Sequence, residues 1–171
     1  LLVLSGSRKA PVELVREVRL ARLGQGVDAT GEFHPDALAR TFAVCEEYAR
    51  IIRHHGAEKV RFVATSAARD VSNRQLLIDG VRERLGVGVD VIPGQEEARL
   101  SSIGALYALD VASPTLVVDI GGGSTELVLA DGTGRIFHSV SLNVGAVRLR
   151  ERFLHTDPPT PGEQKDARGF V

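Results

Sequence analysis

An α/β fold is what this sequence predicts, on three observations: short apolar runs that suit buried strands, longer segments with one apolar stripe that suit helices, and the alternation of the two. At 171 residues with 43% hydrophobic content, the chain can form one ordinary domain or pieces of two smaller ones. The order reads as two strands, helix, strand, helix, strand, helix and three strands, with a helix after them. No internal repeat or low-complexity tract interrupts it.

Residues 1–4 and 13–23 read as strands, the second alternating Leu14, Arg16, Val18 and Leu20 against Val15, Glu17, Arg19 and Ala21. Ser5-Gly6-Ser7 is the predicted turn between them. A helix starts at Pro35, where proline suits the first turn, and Leu38, Phe42, Cys45, Ala49 and Ile52 make its apolar stripe until about Gly56. Residues 60–64 form a short strand candidate. Ser72 with Gln75 matches a capping box for a helix to about Leu85. Residues 89–92 are the next strand, and Pro93-Gly94 turns the chain into a helix over 95–109. Ala112-Ser113-Pro114 marks a domain boundary, giving units 1–112 and 113–171. Strands follow at 116–120, 125–130 and 135–142, joined by Gly121-Gly122-Gly123 and Asp131-Gly132-Thr133-Gly134. Residues 146–154 read as a helix, and Pro158, Pro159 and Pro161 as a connector.

Charge and cysteine usage narrow the function classes. A net charge of -1 with 25% charged residues provides no global basic field to gather nucleic acid or an anionic membrane. A polyanion site would have to be local. Lysine occurs only at Lys9, Lys59 and Lys165, so most basic groups are arginines, which suit bidentate phosphate contacts. The lone Cys45 excludes internal disulfides and paired-cysteine zinc sites, which fits a reducing, cytoplasmic compartment. No apolar run approaches the roughly 20 residues needed to span a bilayer. With no methionine, a start on Leu1-Leu2-Val3-Leu4 and an end at Phe170-Val171 after prolines, the chain reads as a fragment.

The loudest chemical signal is Asp119-Ile120-Gly121-Gly122-Gly123-Ser124-Thr125-Glu126. An apolar strand ending in a carboxylate, then three glycines, then a returning strand places bare backbone N–H groups beside acids and hydroxyls. Such a loop can cradle phosphate, and its acids can hold a divalent cation bridging to that phosphate. Three glycines by themselves also make an ordinary hairpin. No Gly-Lys dipeptide, dinucleotide fingerprint, Gly-x-Ser-x-Gly elbow or His-Glu-x-x-His helix is present. His54-His55 sits where solvated bases suit a helix end, without a catalytic role.

Gln95-Glu96-Glu97 opens a helix with two acids. Acids there stabilise a helix without further function, yet a pattern through Leu100, Ile103, Gly104 and Tyr107 sets both near the packed face. Periodicity does not choose between Glu96 and Glu97. Either could act as general base on a water beside a metal-bound phosphate. Thr65-Ser66-Ala67-Ala68-Arg69 follows a strand, where open α/β sheets place ligands. Its hydroxyls could bind phosphate or simply cap the next segment.

Together, Ala64-Thr65-Ser66-Ala67-Ala68-Arg69, Ile92-Pro93-Gly94-Gln95-Glu96-Glu97-Ala98-Arg99-Leu100 and Val117-Val118-Asp119-Ile120-Gly121-Gly122-Gly123-Ser124-Thr125-Glu126-Leu127 resemble three successive motifs of the exopolyphosphatase and guanosine pentaphosphate phosphatase (Ppx/GppA) family. Ser141-Leu142-Asn143-Val144-Gly145-Ala146-Val147-Arg148-Leu149 resembles a fourth. The resemblance implies an actin-like (ribonuclease H-like) fold, a mixed sheet flanked by helices, with 1–112 as a first subdomain lacking its first strand and 113–171 as the start of the second. It implies hydrolysis of a terminal phosphate from polyphosphate or guanosine pentaphosphate with Mg²⁺. It makes Glu97 the general base, with Glu126 also at the catalytic centre, and Asp119 and Glu126 the positions for metal and water. Gly121, Gly122, Gly123 and Ser124 would contact phosphate, joined by Thr65, Ser66 and Arg69, with Gly145 adding backbone from the opposite subdomain. A homodimer is left open. The family's opening Asp-x-Gly-type phosphate loop and most of its second subdomain are not in this chain, so half a clamp, inactive alone, is expected. Two other classes use similar loops: an actin-like kinase acting with ATP, and a polyphosphate-binding protein without turnover.

Overall fold

The computed structural model describes residues 1–7, 10–107 and 113–171. An antiparallel pair, β1 (Leu2–Ser7) and β2 (Ala10–Arg16), comes first. Ser5, Gly6 and Ser7 do not form the turn. They extend β1 and pair with Val12, Pro11 and Ala10, with Gly6 at φ +85°, a conformation glycine adopts without strain. The strand read over 13–23 stops at Arg16, which pairs with Leu2. Val18 and Leu20 continue its alternation but are 76% and 89% exposed, since alternation without a partner strand makes no ladder.

A one-turn helix α1 (Val27–Thr30) leads to α2 (Pro35–His54), which starts on His34 and buries Ala37, Leu38, Thr41, Cys45 and Ala49. Leu38, Cys45 and Ala49 of the predicted stripe are among these, while Phe42 and Ile52 are half-buried, Phe42 packing against the core. Burial pushes the Cys45 thiol up and leaves it a packing residue. β3 (Phe62–Ala64) pairs parallel with β4 (Val89–Val91), and between them lie α3 (Ser66–Arg69) and α4 (Arg74–Leu85). Their shared core joins Val27, Phe33, Leu38 and Cys45 with Ala64, Leu77 and Val81. The Ser72–Gln75 capping box does not form. Ser72 donates to Gly31 and Glu32, Gln75 donates to Asp79, and Asn73 bonds both backbone groups of Phe33. Long-range partners displace the local cap.

Helix α5 (Gly94–Tyr107) covers most of the predicted 95–109 segment, whose last two residues lie outside the described ones. It packs through Ala98, Ser102 and Leu106, while Ile103 and Tyr107 of the expected face are exposed. Small side chains allow close approach to a sheet and win the packed side over larger ones. That sheet is the antiparallel meander β5 (Thr115–Ile120), β6 (Thr125–Ala130) and β7 (Ile136–Leu142). Val128 and Ala130 meet Ala98 and Leu106 in a second core. The predicted boundary begins at Ala112, outside the described residues.

Helix α6 (Ala146–Phe153) is as expected. The proline-rich stretch, read as a connector, instead opens a further helix, α7 (Pro161–Phe170). Thr160 and Glu163 form a reciprocal capping box, and Pro161 sits in the first turn, where its missing N–H costs nothing. No described helix is long and apolar enough to cross a membrane.

The core makes a direct stability test. Leu77→Ala at a fully buried site should cost about 2–5 kcal/mol in chemical denaturation, whereas Ile103→Ala on the exposed face of α5 should change stability by no more than about 0.5 kcal/mol.

Candidate active site

The glycine turn between β5 and β6 is clasped to α6. Gly121 N–H bonds the Ser124 carbonyl at 2.9 Å, and the Gly121 and Gly122 carbonyls accept the first-turn N–H groups of α6, from Ala146 and Val147 at 2.9 Å and Arg148 at 3.1 Å. The loop thereby caps the helix. Thr125 Oγ1 adds a bond to the Val144 carbonyl at 2.6 Å. Contact is so close that a methyl group on Gly145 would fall 2.5 Å from the Gly122 carbonyl carbon and oxygen. Because the carbonyls turn toward α6, the N–H groups of Gly122, Gly123 and Ser124 are left without a hydrogen-bond partner among the described residues. Across the turn, a methyl on Gly123 would lie 2.6 Å from Ser66 Oγ. None of these three loop glycines has positive φ; close approach is what requires them.

Two carboxylates lie beside this loop. Asp119 and Glu126 are directly opposed in the β5–β6 register, hence on one face of the sheet, where opposed Cβ atoms are typically about 5 Å apart. Ser101 of α5 donates to Asp119 at 2.5 Å, and Ser141 of β7 donates to Glu126 Oε1 at 2.7 Å. Glu126 and Ser124 are each 1% exposed. Among the described residues, Glu126 Oε2 and Ser124 Oγ nevertheless lack a hydrogen-bond partner. A buried polar atom left unpaired costs about 1–3 kcal/mol, and like charges opposed across a ladder destabilise it. A cation held by the two carboxylates would relieve both costs at Glu126.

Which acid of the Glu96-Glu97 pair turns inward follows from the packed face of α5. Glu97 is one helical turn from Ser101, on the side that touches Asp119, while Glu96 points outward and pairs with Arg99 at 2.7 Å. Glu97 Oε2 accepts from Arg69 Nη1 at 2.9 Å, and the same nitrogen donates to the Ile92 carbonyl at 2.8 Å. Gly94 seats this helix start on β7, since a methyl there would lie 2.7 Å from Ser141 Oγ. The Arg69–Glu97 pair and the Ser141–Glu126 pair meet at Gly94, whose added methyl would also lie 3.9 Å from Arg69 Nη2. Among the described residues, no three His, Cys, Asp or Glu side chains form a ready metal cage. Two carboxylates suffice for Mg²⁺, which keeps waters and substrate phosphates as its other ligands.

The family model of the Ppx/GppA phosphatase family matches residues 3–171. The chain belongs to that family. It is 51% identical over 162 residues to exopolyphosphatase 2 of Mycobacterium tuberculosis, covering 91% of this chain and 50% of that protein. It is 33% identical over 150 residues to the guanosine-5'-triphosphate,3'-diphosphate pyrophosphatase of Photobacterium profundum, covering 88% and 29%. The crystal structure of an exopolyphosphatase-like protein superposes with a TM-score of 0.90 at 41% identity, covering 95% of this chain and 52% of the other. The fold is therefore the actin-like α/β fold of Ppx/GppA structures. The chain spans about half the length or less of the curated relatives it matches.

In this Ppx/GppA chain, Asp119, Glu126, Ser124 and the three glycines lie at one turn against Gly145, with Ser66 across it. Thr65 and Ser66 share a cleft with Gly122 and Gly123. Arg69 of α3 bonds Glu97 of α5, the helix whose Ser101, one turn on, reaches Asp119. Reasoning from sequence did not single out Ser101, Ser141 or Arg148. Alternation places Ser141 on the Glu126 face once the register is known, but no local signal sets that register. Gly145→Ala should force the loop off α6, lowering stability by about 1–3 kcal/mol and speeding hydrogen exchange at the loop amides; unchanged exchange would contradict the clasp.

Proposed function

We propose that the full-length protein is a phosphoanhydride hydrolase releasing the terminal phosphate of inorganic polyphosphate. The observation that carries this reading is the opposed Asp119–Glu126 pair with its unpaired buried oxygen beside loop amides that have no protein partner. Polyanion binders have little use for converging carboxylates. The similarity to a guanosine-5'-triphosphate,3'-diphosphate pyrophosphatase makes guanosine pentaphosphate the second substrate reading.

The Gly121, Gly122, Gly123 and Ser124 loop, with Thr65, Ser66 and backbone at Gly145, holds the terminal phosphate, and Asp119 and Glu126 would hold Mg²⁺. When bound, Mg²⁺ supplies neutralisation of the charge on the phosphate being transferred. Glu97 accepts a proton from the attacking water, and Arg69, bonded to both Glu97 and the Ile92 carbonyl, orients that carboxylate and faces the phosphate. Electrostatic positioning supplies the remainder. We assign residues 1–112 and 113–171 to parts of two actin-like subdomains, with α5 of the first packed on the sheet of the second, and the lone-cysteine chain to the cytoplasm. The Glu97 position at the carboxylate site favours hydrolysis over phosphate transfer to an acceptor.

Glu97→Gln in the full-length protein should lower kcat for phosphate release from polyphosphate by about 10²–10⁴-fold while leaving polyphosphate binding intact. Full activity in that variant would remove Glu97 as the base. Comparing release from polyphosphate and guanosine pentaphosphate separates the two substrates.

A further inference from the structure

A cleft of about 250 Å³ runs from the glycine loop outward between the segment holding Val27 and Asp28 and the first turn of α6. Thr65, Ser66, Asp70, Gly122, Gly123 and Arg148 are among the residues that line it. Arg148 has no part in the chemistry described so far. Its side chain is 13% exposed, and its Nε donates to the Gly123 carbonyl at 3.0 Å, which fixes the guanidinium against the loop. The outer nitrogens donate to carboxylates, Nη1 to Asp28 and Nη2 to Asp70 at 2.9 Å.

These two carboxylates are held differently. Asp28 is also gripped by Arg152 through two nitrogens. The hydrogen bond from Arg152, and after it the nearby charge of Arg148, keep the Asp28 carboxyl below its ordinary range. Asp28 therefore remains neutralised if Arg148 turns away. Asp70 has 42% of its side chain exposed and Arg148 as its ion-pair partner, a half-solvated contact of little net strength. Guanidinium presents a planar fork that matches phosphate oxygens bidentately. A polyanion leaving the glycine loop along this cleft would meet the acids Asp28, Asp70 and Glu151 and the cations Arg22 and Arg148, and of the two arginines Arg148 is the one bonded to the loop itself.

We propose that Arg148 is a substrate-binding and specificity residue that grips the phosphate chain beyond the terminal phosphate, exchanging Asp70 for phosphate oxygen while Arg152 retains Asp28. The inference rests on the phosphoanhydride reading. It makes Asp70 a resting counter-ion whose removal favours substrate.

Steady-state phosphate release from long polyphosphate by the full-length protein tests this. Arg148→Gln should raise KM about ten- to hundredfold, as loss of a charge-assisted bidentate contact implies, with kcat changed less than about threefold. Asp70→Asn should lower KM. Arg152→Gln, which leaves Arg148 as the remaining arginine on Asp28, should raise KM by no more than about threefold, clearly less than Arg148→Gln does. An unchanged KM in Arg148→Gln overturns the proposal, as does an equal rise in Arg152→Gln, which would mean that Arg148 merely braces Asp28. If Arg148→Gln does not fold, Asp70→Asn decides: an unchanged or raised KM overturns it. A wild type that binds polyphosphate without releasing phosphate would sink the hydrolase reading, and the same variants would then be judged by Kd.

Discussion

Glu126 sits at 1% exposure, faces another carboxylate across the β5–β6 ladder and keeps one oxygen without a partner. Much of the site is arranged around that costly placement. Ser141 satisfies the other oxygen, Ser101 satisfies Asp119, and each serine comes from a different neighbouring element. Small residues on α5 bring the helix close enough for Ser101 to reach. A protein that needed only a stable meander would fill this position with an apolar side chain, since a buried ionisable group is a poor source of stability.

The glycine loop works under the same constraint from the other side. Its carbonyls are committed to α6 and its side chains are absent, so the free N–H groups and the hydroxyl of Ser124 remain for an anion. Gly145 and Gly123 let the backbone reach α6 and Ser66 at distances that a Cβ would forbid. Asp28 and Asp70 then tie α6, through Arg148 and Arg152, to the segment that begins the chain's first core. Glu151 reinforces the link by accepting the Gly26 N–H at 3.1 Å through both oxygens. The glycine loop is thereby positioned by contacts from both of its flanks.

Much of this was legible in the residues. Strand and helix periods located most elements, and Asp119 to Glu126 announced itself through glycine and acid chemistry. Local patterns failed where distant partners decided. The packed side of α5 is made of Ala98 and Ser102, too small to mark a face, so periodicity left Glu96 and Glu97 unresolved. Ser72 looked like a cap but bonds residues 40 and 41 positions away. Arg148 meets Asp28 and Asp70 across 120 and 78 positions, which no spacing rule reveals. Helix α7 is a different failure: its Thr160–Glu163 capping box was readable, but three prolines drew attention to a connector.

On the proposed function, Asp119, Glu126 and the glycine loop bind a divalent cation and phosphate together. Titrating Mn²⁺ into the isotopically labelled full-length protein, with and without tripolyphosphate, tests it through paramagnetic broadening of backbone amide signals. The account predicts broadening centred on residues 119–126 and 145–148 that strengthens when phosphate is present and is lost in Glu126→Gln. Broadening centred elsewhere, or undiminished in that variant, would contradict it.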